Sequence, residues 1–323
     1  MKYRSILILL AILFVFHSAW SQSDTALVYG VTNKDINRPS GMIKLPSGNL
    51  IWVGEWNTEG ILMKISPSGK ELKRIILTNI PGAITRMKDI ILDEDNTLIT
   101  AGECVKCSGT DSLSKVILYR IDTSLEKIMD TSILRGTSPS NPLIYNPSIA
   151  QYNHTLLLIA TQAGSGFNYE DSYLASINKQ LDTIWTKSIN SCTACPYEFP
   201  YRLVASSNGF TSFIYHNFTD SATIFHFDST GQILWKQRPY TWDGVTGGAI
   251  AVYKDKIYLG VGVRGLPLDP FFFTGTIITY DEIKGTPLTA IPINDPYTDR
   301  SINSLHFAKN GNLIVGYRKS ALS

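Results

Sequence analysis

The sequence predicts an all-β protein, a β-propeller of about six four-stranded blades, and three observations carry that prediction. A strand pair with a tight turn recurs six times along the chain, and a second strand pair recurs five times between those copies. No segment shows sustained helical spacing of apolar residues with caps at its ends. Together the two pairs form a unit of four short strands, which is the size of a propeller blade.

Each strand pair is recognised by its turn. In the first pair the strand after the turn opens on an apolar residue, and these residues fall 47 to 58 positions apart: Leu50, Leu98, Leu156, Phe210, Ile257 and Leu313. In the second pair the turn is entered by a polar residue that follows Ile, Phe or Tyr: Ser66, Asp122, Asn178, Asp228 and Asp281. Such residues favour chain reversal. A β-sandwich or β-helix is the alternative, but neither explains so long a period with two hairpins per unit.

The last blade is the incomplete part of this scheme. The sixth unit stops at Ser323, just after its second strand, and the segment ALVYGVT at residues 26–32 reads as an isolated outer strand. In many propellers an N-terminal strand completes the last blade, but here that blade would still lack its third strand. A truncated chain and an unusual closure therefore both stay open.

The start of the chain predicts export. Lys2 and Arg4 precede the apolar run Ile6–Phe16, and small residues follow. Eleven apolar residues are about half of the roughly 20 that a membrane-spanning helix needs, so we predict a cleaved signal peptide over 1–21. The remainder, 22–323, is expected to be a single propeller domain, secreted or at the cell surface, with no membrane span.

Charge narrows the class of partner. The full chain has 29 Lys and Arg against 27 Asp and Glu. The leader removes Lys2 and Arg4, which leaves 27 against 27. A neutral chain without a basic cluster lacks the electrostatic signature of a nucleic-acid binder. We expect a monomer that binds an extracellular glycan or protein surface.

Several stretches resemble a known group of proteins. PSGNLIWVGE, ILMKISPSGKEL and IFHFDSTGQILW are similar to the degenerate repeats of secreted propellers from Bacteroidetes-type bacteria, a group often linked to type IX secretion. The resemblance spans 25–323 and is specific for the fold, not for a function; many members of the group end in a C-terminal sorting domain, and we expect none within 25–323. Asp228, Thr230, Gly231 and Trp235 also resemble the tryptophan-docking motif of quinoprotein propellers. Their spacing is one residue short, so we interpret them as a hairpin turn and expect no cofactor.

Four cysteines form two closely spaced pairs, Cys104 with Cys107 and Cys192 with Cys195. Export makes a disulfide within each pair the first expectation. The residue after each pair is not His, which excludes haem attachment. A shared four-thiolate zinc site, with 84 residues between the pairs, and a redox-active pair remain alternatives.

Loop lengths indicate where function lies. If the strands of a blade run A, B, C, D, the short A–B and C–D turns share one face, here called the hairpin face. The long B–C and D–A connections share the other, the long-loop face, and function concentrates on loops held by a rigid scaffold. The candidate ligand-binding residues on that face are Glu55, Trp56, Glu103, Tyr169, Asp171, Arg264, Phe271, Phe272 and Arg300.

Two of these candidate sets have competing interpretations. Glu55 and Glu103 end equivalent B strands and are the best candidates for a carboxylate pair, against a solvated loop entry as the alternative. The loop from Arg264 to Thr274, RGLPLDPFFFT, has the prolines and aromatics of a binding anchor. The alternative is that its phenylalanines begin strand C and pack between blades.

No catalytic motif stands out in the sequence. His226 and His306 lie in strands and are expected to be packed or surface histidines, and the acidic run from Asp93 to Asn96 is interpreted as a turn and not as a calcium site. Two function classes stay open: a non-catalytic binding module, and a propeller hydrolase or lyase acting on extracellular glycans or peptides. Convergence on the central channel of the candidates Glu55, Glu103, Asp171, Arg264 and Arg300 would favour the enzyme.

Overall fold

Antiparallel strands make up the regular structure of the protein, as described by a computed structural model. The structure describes residues 37–77, 83–107, 114–134, 143–163, 170–189, 198–216, 221–238, 245–264, 273–293, 299–308 and 310–320. Within these ranges there are twenty-two strands and no helix, so the all-β prediction is confirmed. No helix in this described part is long and apolar enough to cross a membrane. The proposed signal peptide and the 26–32 segment lie outside the described residues.

The strands follow one another in groups of four. The first three groups are β1 (Asn37–Lys44), β2 (Leu50–Trp56), β3 (Glu59–Ile65), β4 (Glu71–Leu77); β5 (Ile84–Leu92), β6 (Thr97–Val105), β7 (Ser114–Asp122), β8 (Ile128–Leu134); and β9 (Ile144–Tyr152), β10 (Thr155–Ala163), β11 (Glu170–Ile177), β12 (Thr183–Ile189). The next two are β13 (Glu198–Ser206), β14 (Gly209–His216), β15 (Ser221–Phe227), β16 (Ile233–Gln237); and β17 (Val245–Val252), β18 (Lys256–Arg264), β19 (Phe273–Asp281), β20 (Pro287–Pro292). The last strands are β21 (Asp299–Phe307) and β22 (Leu313–Ser320).

Sheet pairing confirms the blade scheme. Each group of four forms one antiparallel sheet in sequence order, and β21 and β22 form a two-stranded sheet among the described residues. Strands A to D of each blade are therefore the successive strands of one meander. Five four-stranded sheets and one two-stranded sheet correspond to six blades, of which the last is incomplete among the described residues. The predicted propeller of about six blades is therefore confirmed.

The C–D turns explain why polar residues recur at their entrance. Asp228 Oδ1 accepts hydrogen bonds from the backbone N–H groups of Thr230 and Gln232, at 2.8 and 2.9 Å. The side chains of Asp122, Asn178, Asp281 and Ser66 accept equivalent bonds in their own turns. These bonds satisfy backbone donors that no strand partner reaches, which is the physical basis of the sequence pattern.

The core lies between successive sheets. In β6, Ile99 and Ala101 pack toward the third blade, whereas Leu98 packs toward the first, and all three are fully buried. Alternate side chains of a strand point to opposite faces, so a strand covered on both faces needs apolar residues at almost every position. The same arrangement recurs in five clusters, one between each consecutive pair of blades from first to sixth.

Tryptophans on outer strands add a second link between blades. Trp185 of the third blade lies on the turn glycine Gly231 of the fourth, so that a Cβ placed there would be 2.2 Å from Trp185 Cη2. Trp235 of the fourth blade lies on Gly285 of the fifth in the same way, and its Nε1 donates to the Glu282 carbonyl at 2.8 Å. In the fourth unit the Gly therefore belongs to a C–D hairpin turn and the Trp to the strand that follows it, and the two contact opposite neighbouring blades.

Candidate functional site

Every innermost strand carries one β-bulge. In β1, β5, β13 and β21 a single residue is left out of the register with strand B: Ser40, Lys88, Tyr201 and Asn303. In β9 and β17 two residues oppose one, namely Asn146–Pro147 and Gly247–Gly248. A bulge bends its strand and re-aims the side chain it carries, and bulges are frequent next to binding sites.

These bulges surround one cavity, which we name the channel mouth. Its volume is about 390 Å³, and all six innermost strands line it: Ser40, Lys88, Asp89, Asn146, Pro147, Ser148, Phe199, Pro200, Tyr201, Arg202, Gly248, Ala249 and Asn303. Because every innermost strand contributes, the cavity lies on the central axis. The bulges fall in the first five residues of each A strand, so the channel mouth lies toward the long-loop face. A second, more apolar cavity of about 360 Å³ follows toward the hairpin face.

A chain of hydrogen bonds fixes part of this wall. The Leu203 backbone N–H donates to Ser148 Oγ at 2.9 Å, and Ser148 Oγ donates to Asp89 Oδ2 at 2.5 Å. Asp89 also accepts from the backbone N–H groups of Ile149 and Ile90, at 3.1 and 2.9 Å. The chain joins three consecutive blades. Asp89 is buried and both its carboxylate oxygens are occupied, so its role is to hold the wall.

Two cationic side chains line the same cavity. Lys88 Nζ lies 3.3 Å from Glu103 Oε1 and 3.4 Å from Asn146 Oδ1, and its side chain is 31% exposed. Arg202 is exposed and makes no ion pair within the part of the chain that the structure describes. Asp89 is the one carboxylate among the described lining residues, and Glu103 reaches Lys88 from outside the lining, so Arg202 is the cation without a carboxylate partner in the described chain.

The wall beside Arg202 is aromatic. Tyr201 is 44% exposed, and its ring centroid lies 5.8 Å from that of Phe213 and 6.2 Å from that of Tyr215. Gly248 faces the same cluster, where a Cβ would lie 2.5 Å from Phe213 Cε1. The absence of a side chain at this bulge therefore lets the fifth blade approach Phe213.

The predicted carboxylates lie at equivalent B-strand ends, as expected, but they contact neighbouring blades. Glu55 is buried and its Oε1 is 3.3 Å from Arg86 Nε of the second blade. Glu103 is buried, and its Oε1 accepts the Asn146 backbone N–H of the third blade at 2.9 Å. Neither lines the channel mouth, and the alternative of a solvated loop entry is wrong because both side chains are buried.

The remaining candidates are dispersed. Trp56 ends β2, where the Arg74 guanidinium lies 4.3 Å from its ring centroid. Asp171 lies on strand C of the third blade, and burial raises the pKa of its carboxyl, with a hydrogen bond from Ser188 acting in the opposite direction. Arg264 and Arg300 are strand residues in β18 and β21 whose side chains are not described.

Other candidates fall outside the described residues: Tyr169, Phe271, Phe272, Cys192 and Cys195. Phe273 begins β19, so the phenylalanine run leads directly into strand C. The predicted disulfide of the first pair, Cys104 with Cys107, is present and buried at the long-loop end of β6.

His226 and the acidic turn have packing roles, whereas His306 does not. His226 is fully buried, its ring nitrogens bond Thr211 Oγ1 and Asn208 Oδ1, and burial lowers its pKa. His306 is exposed on β21. In the acidic turn, Asp93 bonds Arg120 at 2.6 Å. No group of three His, Cys, Asp or Glu residues within the described ranges could hold a metal ion.

Comparisons with known proteins identify the fold. No family model matches the chain, and no curated protein sequence matches it. Among solved structures, hydrazine synthase from Kuenenia stuttgartiensis is similar at 12% identity with a TM-score of 0.61, over 90% of this chain and 77% of that one. The Dos1 propeller is similar at 12% identity with a TM-score of 0.54, over 88% of this chain and 66% of that one.

A glycosidase structure is also similar. The GH93 α-L-arabinofuranosidase of Fusarium graminearum, in complex with arabinobiose, matches at 11% identity with a TM-score of 0.56, over 87% of this chain and 92% of that one. At such low identity these likenesses establish the fold alone. The chain has a β-propeller-like fold of four-stranded antiparallel blades.

Proposed function

We propose that the protein is a non-catalytic binding module that receives an extracellular ligand at the channel mouth. One observation carries the proposal: all six innermost strands bulge toward the same cavity and bring Ser, Lys, Asn, Tyr and Asn side chains to it. These side chains offer hydrogen-bond donors, acceptors and an aromatic face, the set that orients a small ligand or the end of a polymer.

The alternative is a hydrolase or lyase acting on extracellular glycans or peptides; one structurally similar protein is an α-L-arabinofuranosidase. Most glycoside hydrolases need two carboxyl groups on either side of the scissile bond, about 5 to 10 Å apart. In the described channel mouth the carboxylate is Asp89, which three donors already occupy. Glu55 and Glu103 hold neighbouring blades together. These three carboxylates thus serve the scaffold, which favours binding over catalysis.

The proposal is tested by measuring binding of the purified protein to the surface polysaccharides of the producing cell. Tyr201→Ala should weaken binding at least ten-fold, because a rigid exposed aromatic typically supplies a large share of contact energy. Tyr152→Ala is the matched control, since Tyr152 lies in the innermost strand of the third blade, toward the hairpin face, and also contacts a phenylalanine ring. Equal loss in both variants, or none in Tyr201→Ala, would contradict the site. Release of new reducing ends or amines during incubation would favour the enzyme.

We also propose that the protein acts as a secreted or cell-surface monomer, by analogy with the propellers of Bacteroidetes-type bacteria. The basic and apolar start of the chain and the disulfide at Cys104 support export. Intact mass of the secreted protein should correspond to a chain that begins near Gln22. Secreted material that retains Lys2 would contradict the signal peptide.

A further inference from the structure

We infer that the ligand of the channel mouth is a carboxylated saccharide, such as the end of a polyuronate chain; this rests on the proposed function. The inference comes from the way charges are distributed at this cavity. Its two cations and its carboxylate differ in how far other groups of the protein already satisfy them.

The carboxylate is satisfied, Lys88 is satisfied in part, and Arg202 is not paired with a carboxylate in the described chain. Asp89 accepts three hydrogen bonds and is 8% exposed. An ammonium group carries three N–H donors. Lys88 meets two acceptors, both at long range, 3.3 and 3.4 Å. Arg202 carries five donors and is exposed without an ion pair in the described chain. The unused hydrogen-bonding capacity is therefore cationic, which suits an anion.

The neighbouring groups suit a sugar more than an acidic peptide. Tyr201 presents an exposed aromatic ring next to Arg202, and the side chains of Ser40, Asn146 and Asn303 lie on other blades of the same cavity. Hydroxyl and amide groups both donate and accept, as the hydroxyls of a sugar require. A cavity of about 390 Å³ at the end of a channel admits the end of a chain and not a flat protein surface.

The guanidinium supplies the geometric part of the recognition. Arg binds a planar carboxylate through two parallel N–H···O bonds, whereas Lys acts as a point charge. A uronate carboxylate at Arg202 would leave the sugar ring beside Tyr201, the adjacent residue of the same strand. Lys88, two blades away from Arg202, lines the same cavity and would add charge there.

The experiment is calorimetric titration of the protein with three probes: a trigalacturonate, the neutral galactose trimer and a short poly-glutamate peptide. Arg202→Gln and Lys88→Gln remove one charge each at the channel mouth. Lys236→Gln removes one on the exposed outer strand β16 and is the matched control. Arg202→Lys keeps the charge but not the paired geometry. Melting temperatures establish that each variant is folded.

We expect the trigalacturonate to bind at least ten-fold more tightly than the neutral trimer. Arg202→Gln should weaken it at least ten-fold, Lys88→Gln several-fold and Lys236→Gln not at all, with Arg202→Lys between the native protein and Arg202→Gln. If the neutral trimer binds as tightly as trigalacturonate, the inference that the ligand carries a carboxylate is wrong, and the binding proposal stays intact. If the protein binds poly-glutamate more tightly than trigalacturonate, or does not bind trigalacturonate, the inference that the ligand is a saccharide is wrong. If trigalacturonate binds Arg202→Gln as tightly as the native protein, the ligand does not bind at Arg202 and the inferred site is wrong. The proposed function is tested separately, by the cell-surface binding of Tyr201→Ala.

Discussion

Gly231 offers a sharp test of how the blades are joined. It has a φ of +71°, and a Cβ added there would lie 2.2 Å from Cη2 of Trp185 on the preceding blade. A left-handed conformation costs a residue with a side chain about 1–2 kcal/mol. Overpacking a filled contact costs about 1–3 kcal/mol more. Gly231→Ala should therefore lower the free energy of unfolding by about 2–5 kcal/mol.

Gly48 supplies the matched control. Its φ is +85°, but an added Cβ would meet only Pro67 Cγ at 3.5 Å, an ordinary van der Waals contact. Gly48→Ala should thus cost about 1–2 kcal/mol, the conformational part alone. Urea denaturation followed by tryptophan fluorescence, with far-ultraviolet circular dichroism as a second probe, measures both variants under one set of conditions.

A double-mutant cycle isolates the contact itself. Replacing Trp185 by Leu removes the ring that the new methyl group would strike, so Gly231→Ala should cost little more than Gly48→Ala in that background. The expected coupling is about 1–3 kcal/mol, equal to the overpacking part. Equal costs for the two glycines in the native background, or no coupling to Trp185, would refute the idea that this tryptophan docks on the next blade.

Three further predictions concern buried groups. Burial lowers the pKa of His216 from about 6.5 to about 4, so the unfolded chain binds more protons between these values and stability should fall as the pH drops from 6.5 to 4. His216→Asn should remove up to about 3 kcal/mol of that dependence, measured by urea midpoints at pH 7 and 4.5; identical dependence in both proteins would contradict the shift. Asp89→Asn should cost about 1–3 kcal/mol of unfolding free energy, because an amide replaces an oxygen that accepts from two donors; an unchanged denaturation curve would refute its role in the wall. Thiol titration of the unfolded, unreduced protein should find no free cysteine. Cys104→Ser should leave one free thiol, at Cys107. Four reactive thiols in the protein without the substitution would rule out the disulfides.

The blade pattern was predictable because it is local. Residues such as Asp122 and Asp228 bond backbone groups within their own turns, two to five residues ahead, so the chemistry that fixes the turn is visible in a short stretch of sequence. Repetition of that stretch about every 50 residues then identifies the fold. The alternation of buried side chains in β6 follows from the same local geometry.

The channel mouth was not predicted because it depends on register and on neighbouring blades. Glu103 and Glu55 were recognised as equivalent, but the Asn146 and Arg86 groups that engage them lie 43 and 31 residues further along the chain. A weak signal did exist. A polar or small residue interrupts each first strand nine or ten positions before the recurring apolar residue at the start of the second, as Lys88 does before Leu98. Read across six units, these interruptions mark the bulges.

The most direct test of the central claim is to locate the ligand by hydrogen–deuterium exchange, with and without polysaccharide from the producing cell. Bulged residues lie outside the strand register, so exchange of their amides reports on contacts made at the channel mouth. We predict slower exchange around the bulges of β5, β13 and β21, with little change in the outer strands. Protection confined to the outer strands or to the hairpin face, with unchanged exchange at the six bulges, would contradict the account.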